Sequence, residues 1–241
     1  MIAATTEGTL LGGRVRYAQP RAGFRSGIEP VLLAAHVPAR AGEHVLEAGS
    51  GAGAALLCLA ARVPGVRGAG LERDPALAAL AARNAAANGF EDLAFLAGDM
   101  LGPDLPGPFD HACANPPYHA ATGTASPEAV REAAKRAAPG LLAAWTAALA
   151  RRLRSGGSLT LVLSAAGVPE VLAAMAASGI GGIGLFPLWP KPGVAAKLVL
   201  LRGVRGARGA FAVLPGLVLH PPAGGGFTAA AEAVLRAGTA L

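Results

Sequence analysis

The sequence predicts a doubly wound α/β fold whose sheet has seven strands, mostly parallel, with the last strand antiparallel. Short apolar runs typical of buried strands alternate with helical segments rich in Ala and Leu. A glycine-rich turn at 49–53 follows the first of these strands and opens a helix. An apolar content of 53% allows the 241 residues to bury a substantial core. These observations together favour one open sheet with helices on both faces.

The predicted elements follow one another in a regular order. Strands are predicted at 42–47, 66–72, 93–97, 111–114, 158–164, 183–188 and 196–202. Helices are predicted at 54–62, 75–88, 169–178 and 228–236, with a longer one at 127–154 that Gly140 interrupts. No linker is long enough to separate two domains. We therefore expect a single domain over residues 1–241, with a lead-in at 1–41 and an extension at 204–241.

The composition argues against several classes of protein. Only two cysteines, Cys58 and Cys113, are present, and no set of Cys and His stands at ligand spacing, so we expect neither a disulfide framework nor a metal site. The first residues lack the basic and apolar segments of a secretory signal, which favours a cytoplasmic protein. The uncharged stretch 171–190 has the length of a membrane span, but its glycines and prolines predict a short helix and a strand instead.

The positive charge of the chain is compatible with a polyanionic partner such as RNA. The formal net charge is +6 and the pI is about 10.1. A coding bias towards Arg and Ala would give the same balance without any partner. No acidic residue lies between Glu170 and Glu232, an interval that contains Lys191, Lys197, Arg202, Arg205 and Arg208. A basic surface near the carboxyl end is therefore expected, and with an RNA substrate we expect Arg202, Arg205 and Arg208 to bind phosphates.

The glycine turn predicts a ligand site at the end of the first strand. Gly49, Gly51 and Gly53 permit a sharp turn and a close approach of the backbone to a ligand, where a Cβ would collide. Their spacing differs from the G-x-G-x-x-G pattern of dinucleotide sites. With the preceding Glu47, it is typical of methyltransferases that bind S-adenosylmethionine, a cofactor without a pyrophosphate. We therefore expect S-adenosylmethionine as the cofactor.

Two more carboxylates follow the next two strands, where the nucleoside of that cofactor would lie. Glu72 ends the second strand, a position from which a carboxylate accepts both ribose hydroxyls. Asp99 follows the third strand, within reach of the adenine amino group. Each acid alone is as well explained by a surface loop or a helix cap. Their order behind the glycine turn favours the cofactor site.

The segment Asn115-Pro116-Pro117-Tyr118 follows the fourth strand, at the carboxyl edge where such sheets bind ligands. The prolines fix φ and remove backbone donors, which leaves carbonyl oxygens free to accept. An amino group conjugated to a ring is a poor nucleophile because its lone pair is delocalised. Acceptance of both N–H bonds, by Asn115 and the Pro116 carbonyl, favours a pyramidal nitrogen, and Tyr118 would stack on the ring. In-line methyl transfer then requires positioning rather than a strong base.

With these motifs the chain resembles the Rossmann-fold, S-adenosylmethionine-dependent amino-methyltransferases over residues 11–202. Within them it is similar to the bacterial tRNA1(Val) adenine N6-methyltransferase group. The segments that carry the closer resemblance are Gly12-Gly13-Arg14-Val15, Gln19-Pro20, Phe24-Arg25-Ser26-Gly27, Val31-Leu32-Leu33-Ala34 and Leu188-Trp189-Pro190-Lys191-Pro192. Many relatives have Asp where this chain has Glu29, which leaves the role of that residue open.

The resemblance implies a Rossmann-like methyltransferase fold and a role for each matched position. Glu47 and the three glycines would hold the methionine part of the cofactor, Glu72 its ribose and Asp99 its adenine. The residues from Asn115 to Tyr118 would receive the target base, and Phe24 and Arg25 would line the mouth of the pocket. The implied reaction is N6 methylation of an adenine in RNA, with a tRNA as the expected partner.

Four other interpretations remain open from the sequence. Protein glutamine methyltransferases of the release-factor type use the same Asn-Pro-Pro-Tyr motif, because a side-chain amide presents the same planar NH2 group. They usually carry an amino-terminal helical domain, whereas about forty residues precede the first strand here. Methylation of a guanine amino group in ribosomal RNA, methylation of adenine in DNA, and a binding module without turnover are the others. The sequence identifies neither the RNA nor the oligomeric state.

Overall fold

Strands and helices alternate along residues 4–22, 25–102, 107–116 and 140–241, which the computed structural model describes. The strands, in chain order, are β1 (Thr5–Leu10), β2 (Val15–Pro20), β3 (His44–Ala48), β4 (Arg67–Glu72), β5 (Leu93–Ala97), β6 (Phe109–Ala114), β7 (Leu153–Ser164), β8 (Ile180–Trp189), β9 (Leu198–Arg205), β10 (Ala212–Val213) and β11 (Leu217–Val218). The helices are α1 (Glu29–His36), α2 (Ala54–Arg62), α3 (Pro75–Ala87), α4 (Leu141–Arg152), α5 (Val168–Ala177) and α6 (Ala229–Leu235).

Seven long strands form one sheet in the order β5-β4-β3-β6-β7-β9-β8. Neighbouring strands from β5 to β7 are parallel, and β9 runs antiparallel to both β7 and β8. The predicted sheet, mostly parallel with an antiparallel last strand, is confirmed. The two-residue strands β10 and β11, which extend the prediction, pair with β8.

Most element bounds agree with the predicted ones to within three residues, but β7 and the helix before it differ. β7 begins at Leu153 instead of residue 158, because Leu153 pairs with Phe109 before a bulge shifts the register to His111 and Ser158. The described part of the predicted helix at 127–154 is α4, which starts after Gly140 at a φ of 80°. Residues 127–139 lie outside the described residues.

The strand order reverses between β3 and β6. From β3 the chain proceeds through β4 to β5 on one side, whereas β6 leads to β7 on the other. In an open parallel sheet this arrangement leaves a crevice at the carboxyl ends of the strands, because the connections diverge there. The residues that follow β3, β4, β5 and β6 therefore lie along one edge.

Apolar side chains alternate between the two faces of the sheet. On one face, Val162 and Leu200 pack in the same cluster as Leu32 of α1 and Leu57 of α2. On the other, their neighbours in sequence, including Leu161, pack with α4 and α5. This period of two is the property of a strand that is buried on both faces.

The lead-in contains a β-hairpin and a helix in addition to the predicted elements. β1 and β2 pair antiparallel, and the turn between them has positive φ at Leu11, Gly12 and Gly13. Glycine suits such a turn because it has no Cβ. α1 begins at Glu29 with Pro30 in its first turn. Proline has no backbone N–H, and in the first turn that group would have no acceptor within the helix.

Asn84 of α3 and Asn88, which follows the last residue of that helix, hold the hairpin against the rest of the fold. Asn84 Oδ1 accepts from the Ala18 N–H at 3.0 Å, and its Nδ2 donates to the carbonyls of Ala18 (2.8 Å) and Ala52 (2.9 Å). Asn88, one turn later, makes the same reciprocal pair with the N–H and C=O of Arg16, both at 2.8 Å. The bond from Asn84 to Ala52 is buried, the two bonds with Ala18 are partly buried, and the two bonds between Asn88 and Arg16 are exposed. Asn84 therefore satisfies backbone groups that water reaches poorly.

Four arginines donate to backbone carbonyls at or beyond helix ends. Arg14 bonds to the carbonyls of Ala61 and Ala237, and Arg62 to those of Ala34 and Val37. Arg202 bonds to the His36 carbonyl, and Arg205 to the carbonyls of Ala150, Arg151 and Leu153. The last carbonyls of a helix lack intrahelical partners and carry partial negative charge, so a guanidinium group both satisfies and neutralises them.

Three features bear on the composition-based expectations. The stretch 171–190 is divided between α5 and β8, as predicted. None of the described helices is both long and apolar enough to cross a membrane. Cys58 and Cys113 are buried free thiols, and the described residues contain no group of three or more His, Cys, Asp or Glu arranged to hold a metal ion.

We expect Asn84→Ala to lower the free energy of unfolding by about 3 kcal/mol, because it leaves one buried and two partly buried backbone groups without these partners. Chemical denaturation monitored by circular dichroism measures this change. Arg83→Ala, an exposed substitution on the same helix, is the control and should change stability by less than about 0.5 kcal/mol. Equal stability of Asn84→Ala and the control would show that the hairpin is held by other contacts.

Candidate active site

A cleft opens at the carboxyl edge of the sheet. One part of its lining comes from Glu47 and the glycine turn, and another from Asn115 after β6. The rest includes Tyr17, Gln19 and Ser26 of the lead-in. Its empty volume, including the part open to solvent, is about 480 Å³. The sequence predicted Glu47, the glycines and Asn115 at this edge, and the structure brings them together.

The three predicted glycines have positive φ, but their surroundings differ. A Cβ on Gly49 would lie 2.8 Å from the Trp145 ring, and one on Gly53 would lie 2.9 Å from the Phe95 ring. A Cβ on Gly51 would meet no atom of the described residues within 4 Å. Gly49 and Gly53 are thus required by the packing of the chain itself. Gly51 leaves open space beside the backbone, which a ligand can occupy.

Glu72 connects the end of β4 to the glycine turn. Its Oε2 accepts from the Gly51 N–H at 2.9 Å, and its Oε1 accepts from the Asp74 N–H at 2.9 Å. Each carboxylate oxygen keeps a second lone pair, so these bonds leave acceptor capacity for hydroxyl groups. This geometry suits the predicted ribose contact, which stays a prediction.

Glu47 is a buried carboxyl group beneath the glycine turn. It is 3% exposed, and its Oε2 accepts from the Leu56 N–H at 3.2 Å. Burial raises the pKa of Glu47 to about 8, and the neighbouring negative charge of Glu72 acts in the same direction. The Leu56 bond opposes this shift. The chain alone therefore holds Glu47 mostly protonated at pH 7, and a cation at this position would favour its ionised form.

Four polar side chains follow four neighbouring strands. Asp99, Glu72, Glu47 and Asn115 belong to the carboxyl ends of β5, β4, β3 and β6, which are adjacent in that order. Three strand spacings span about 14 Å. Asp99 is exposed, and its Oδ1 accepts from the Leu101 N–H at 2.9 Å. The row has the order that adenine, ribose, methionine and methyl acceptor would take in an extended cofactor complex.

Asn115 has an acceptor without a partner. Its Oδ1 is buried, and no described residue donates to it. Because an unpaired buried acceptor is unfavourable, this atom is suited to receive a donor from a bound molecule. Pro116 is also buried. Pro117, Tyr118 and Phe24 lie outside the described residues, so the predicted stacking and pocket-mouth roles stay predictions, and Arg25 is exposed.

The three arginines expected to bind phosphates do not share a surface with Asn115. Because β9 is antiparallel, it runs from the active-site edge towards the opposite edge, where Arg205 lies. Arg202 donates to a carbonyl of α1 on one face of the sheet, and Arg205 to carbonyls at the end of α4 on the other. Arg208 is exposed beyond β9, near the start of β8. These contacts give Arg202 and Arg205 structural roles.

The sequence analysis did not assign Tyr17, Gln19 or Ser26 to the site. The Tyr17 hydroxyl and Ser26 Oγ lie 2.7 Å apart, and the Ser26 N–H donates to Gln19 Oε1 at 3.1 Å. Burial raises the pKa of Tyr17 to about 12. Gln19 and Ser26 belong to the segments that carry the family resemblance. The resemblance could therefore have pointed to these two residues, although it implies no role for them.

Comparison with known proteins decides the class of this site. Residues 30–176 match the methyltransferase small domain family. The chain belongs to this family. Its members use S-adenosylmethionine, and the open space at Gly51 together with the row of acids fits that cofactor. The site is therefore the cofactor site of an S-adenosylmethionine-dependent methyltransferase domain.

The names of two curated relatives give different substrates. This chain is 38% identical over 101 residues to the release factor glutamine methyltransferase of Rhodospirillum rubrum, and the match covers 41% of this chain and 31% of that protein. It is 38% identical over 105 residues to the tRNA1(Val) (adenine(37)-N6)-methyltransferase of Porphyromonas gingivalis, covering 39% of this chain and 41% of that protein. The similarity thus spans less than half the length of either relative.

Solved structures share the fold. A predicted O-methyltransferase from Agrobacterium tumefaciens has a TM-score of 0.74 and 24% identity, covering 88% of this chain and 98% of its own. TrmN from Thermus thermophilus has a TM-score of 0.51 and 19% identity, covering 70% of this chain and 46% of its own. These likenesses show that the predicted Rossmann-like methyltransferase fold is correct.

We expect the affinity for S-adenosylhomocysteine to rise between pH 6 and pH 8, because the ammonium group of the ligand favours the ionised form of Glu47. Glu47→Gln should remove this rise. Isothermal titration calorimetry over this pH range measures the effect, with the exposed Glu91→Gln as a control that should behave like wild type. The unliganded wild-type protein should lose stability over the same range, since a raised folded-state pKa destabilises the fold as pH rises. An unchanged pH profile in Glu47→Gln would assign the ammonium group to another residue.

Proposed function

We propose that this methyltransferase acts on the N6 amino group of an adenine in RNA, with a tRNA as its substrate. The observation that carries the proposal is the buried Oδ1 of Asn115, to which none of the described residues donates, at the end of the strand beside Glu47. An exocyclic amino group offers two N–H donors in one plane. Asn115 Oδ1 and the Pro116 carbonyl are the two acceptors that would receive them.

The chain would activate the amine by orienting it. Acceptance of both N–H bonds draws the nitrogen lone pair out of conjugation with the ring and directs it along the line of transfer. S-adenosylmethionine, when bound, would supply a methyl group on a sulfonium centre whose leaving group is a neutral thioether. The new N–C bond would form as the S–C bond breaks, and the nitrogen would then release one proton to solvent. Positioning by Asn115 and Pro116 suffices, because the leaving group needs no proton.

Basic side chains near the active-site edge support a nucleic acid substrate. β8 runs in the same direction as β7, since both are antiparallel to β9, so Trp189 ends β8 at the edge where Asn115 lies. The segment 190–197 therefore starts at this edge. It carries Lys191, which is half-buried, and Lys197, which is exposed. No acidic residue occurs in this segment, so its charge suits phosphates.

The alternative substrate is a protein glutamine. The relative from Rhodospirillum rubrum supports it as strongly by identity as the relative from Porphyromonas gingivalis supports adenine. The side-chain amide of glutamine presents the same two N–H donors to Asn115. The two substrates differ in charge, because RNA brings phosphates to Lys191 and Lys197 and a release factor does not.

Transfer of labelled methyl groups to RNA and to release factors tests the proposal. We expect N6-methyladenosine in tRNA from cells that lack this modification, identified by nucleoside analysis. Asn115→Ala should lower kcat about 100-fold or more, with affinity for S-adenosylhomocysteine unchanged, because the acceptor contacts the amine and not the cofactor. Label in a release factor and none in RNA would replace adenine by glutamine as the substrate.

Replacing Lys191 and Lys197 by Gln should weaken tRNA binding and lower the slope of log K against log salt by about 1.5, since each lysine would neutralise about one phosphate. Fluorescence anisotropy at several salt concentrations measures this slope. Arg208→Gln is the matched control, an exposed cation at the opposite edge of the sheet. If Arg208→Gln flattens the slope and the lysine variant does not, the RNA contacts the opposite edge.

A further inference from the structure

The β1–β2 hairpin and the residues after it form one side of the cofactor cleft. We propose that Gln19 Nε2 and Ser26 Oγ bind the α-carboxylate of S-adenosylmethionine, and that Tyr17 is a positioning residue for Ser26. The carboxylate site would then belong to the lead-in, whereas Glu47 on β3 would receive the ammonium group. This inference rests on the cofactor of the family and is independent of the methyl acceptor.

The hairpin is held at a fixed position relative to the glycine turn. Asn84 Nδ2 bridges the carbonyl of Ala18 on β2 and the carbonyl of Ala52 in the turn, at 2.8 and 2.9 Å. Gln19 is the next residue after Ala18, and both Gln19 and Ala52 line the cleft. A ligand group beside the turn therefore meets Gln19 at a position that the fold itself determines.

The orientation of the Gln19 amide follows from its hydrogen bond. The Ser26 N–H donates to Gln19 Oε1 at 3.1 Å. A backbone N–H only donates, so this bond determines which end of the amide is the oxygen. The NH2 group lies on the opposite side of the amide, and no hydrogen bond from it to the other described residues is formed. Gln19 thus offers a donor in the cleft.

Ser26 offers a second donor. The Tyr17 ring is buried, so its hydroxyl proton needs an acceptor, and Ser26 Oγ lies 2.7 Å from the Tyr17 oxygen. With its pKa raised to about 12, the Tyr17 phenol stays protonated, and we assign it as the donor because Ser26 Oγ is the acceptor within its reach. The Ser26 proton then remains available for an acceptor in the cleft. Tyr17 therefore sets both the position and the donor direction of Ser26.

The charges around the cleft assign the ligand group. Its described lining residues include Glu47 but no Lys or Arg, so a carboxylate there depends on neutral donors. The other serine in the lining, Ser50, is turned towards the sheet, because a Cβ on Gly70 of β4 would lie 2.9 Å from its Oγ. Besides Asn115, which follows β6, and Tyr17, whose hydroxyl bonds to Ser26, the lining side chains with donors for an anion are Gln19 and Ser26, and their hydrogen bond places these two together.

Two ligands separate the carboxylate contact from the rest of the site. S-adenosylhomocysteine carries the amino acid part, whereas 5′-methylthioadenosine has the same nucleoside and sulfur without it. We expect Gln19→Ala and Ser26→Ala each to weaken S-adenosylhomocysteine binding about tenfold, with 5′-methylthioadenosine binding unchanged, as measured by isothermal titration calorimetry without RNA. Tyr17→Phe should weaken only S-adenosylhomocysteine, by a smaller factor. Arg16→Ala, an exposed change on the same strand, should leave both affinities at wild-type values.

Gln19→Glu gives the sharper outcome, because it keeps an acceptor for the Ser26 N–H and replaces the donor by a negative charge. It should weaken S-adenosylhomocysteine more than Gln19→Ala does, because it repels a carboxylate. Tighter binding would show that Gln19 faces the ammonium group and would overturn the proposal. An equal loss for both ligands in Gln19→Ala and Ser26→Ala would also overturn it, since these residues would then shape the cleft as a whole.

Discussion

The Asn84 amide supports both the hairpin and the glycine turn, and the cofactor cleft depends on it. β2 has a strand partner on one edge only, so the backbone groups on its other edge need other partners. Asn84 of α3 and Asn88 at its carboxyl end supply them. One helical turn of four residues rises about 6 Å, and two residues of a strand about 6.7 Å, so asparagines at i and i+4 match alternate residues of β2. A helix thus completes a strand edge.

The parts of the fold that were predicted from the sequence have local causes. The bounds of α2 and β5 agree with prediction because apolar runs end at glycines or polar residues that stop them. The hairpin was not predicted from the sequence. The free edge of β2 pairs with the side chains of Asn84 and Asn88, and such pairing produces no pattern in the sequences of β1 and β2 themselves. The phosphate role expected for Arg202 and Arg205 came from sequence proximity. Strand direction and alternation separate these residues from Asn115 and from each other.

The site divides into a part that the motif defines and a part that the tertiary fold defines. The acids and glycines, with Asn115, follow consecutive strands of the sheet, so their meeting at one edge was predictable. Gln19, Ser26 and the lysines at 191 and 197 reach that edge from the two distant ends of the sequence. Their spacing in the chain carries no information about the distance between them. The chemistry of the reaction can therefore be predicted from the sequence. The residues that complete the cofactor cleft or contact the substrate depend on long-range packing.

The arginines at helix ends change what the net charge means for this protein. A formal count gives every guanidinium group its full value, yet those of Arg14, Arg62, Arg202 and Arg205 face the negative ends of backbone dipoles. Close to the protein, each of these guanidinium groups produces a weaker field than a cation that stands apart from a helix end, although a backbone dipole has no net charge and the total stays at +6. The total charge therefore governs the attraction of a distant polyanion, whereas the local potential depends on where the cations stand. At close range a polyanion would meet the strongest positive potential at cations that stand apart from helix ends, so its position on the surface would depend on few charges.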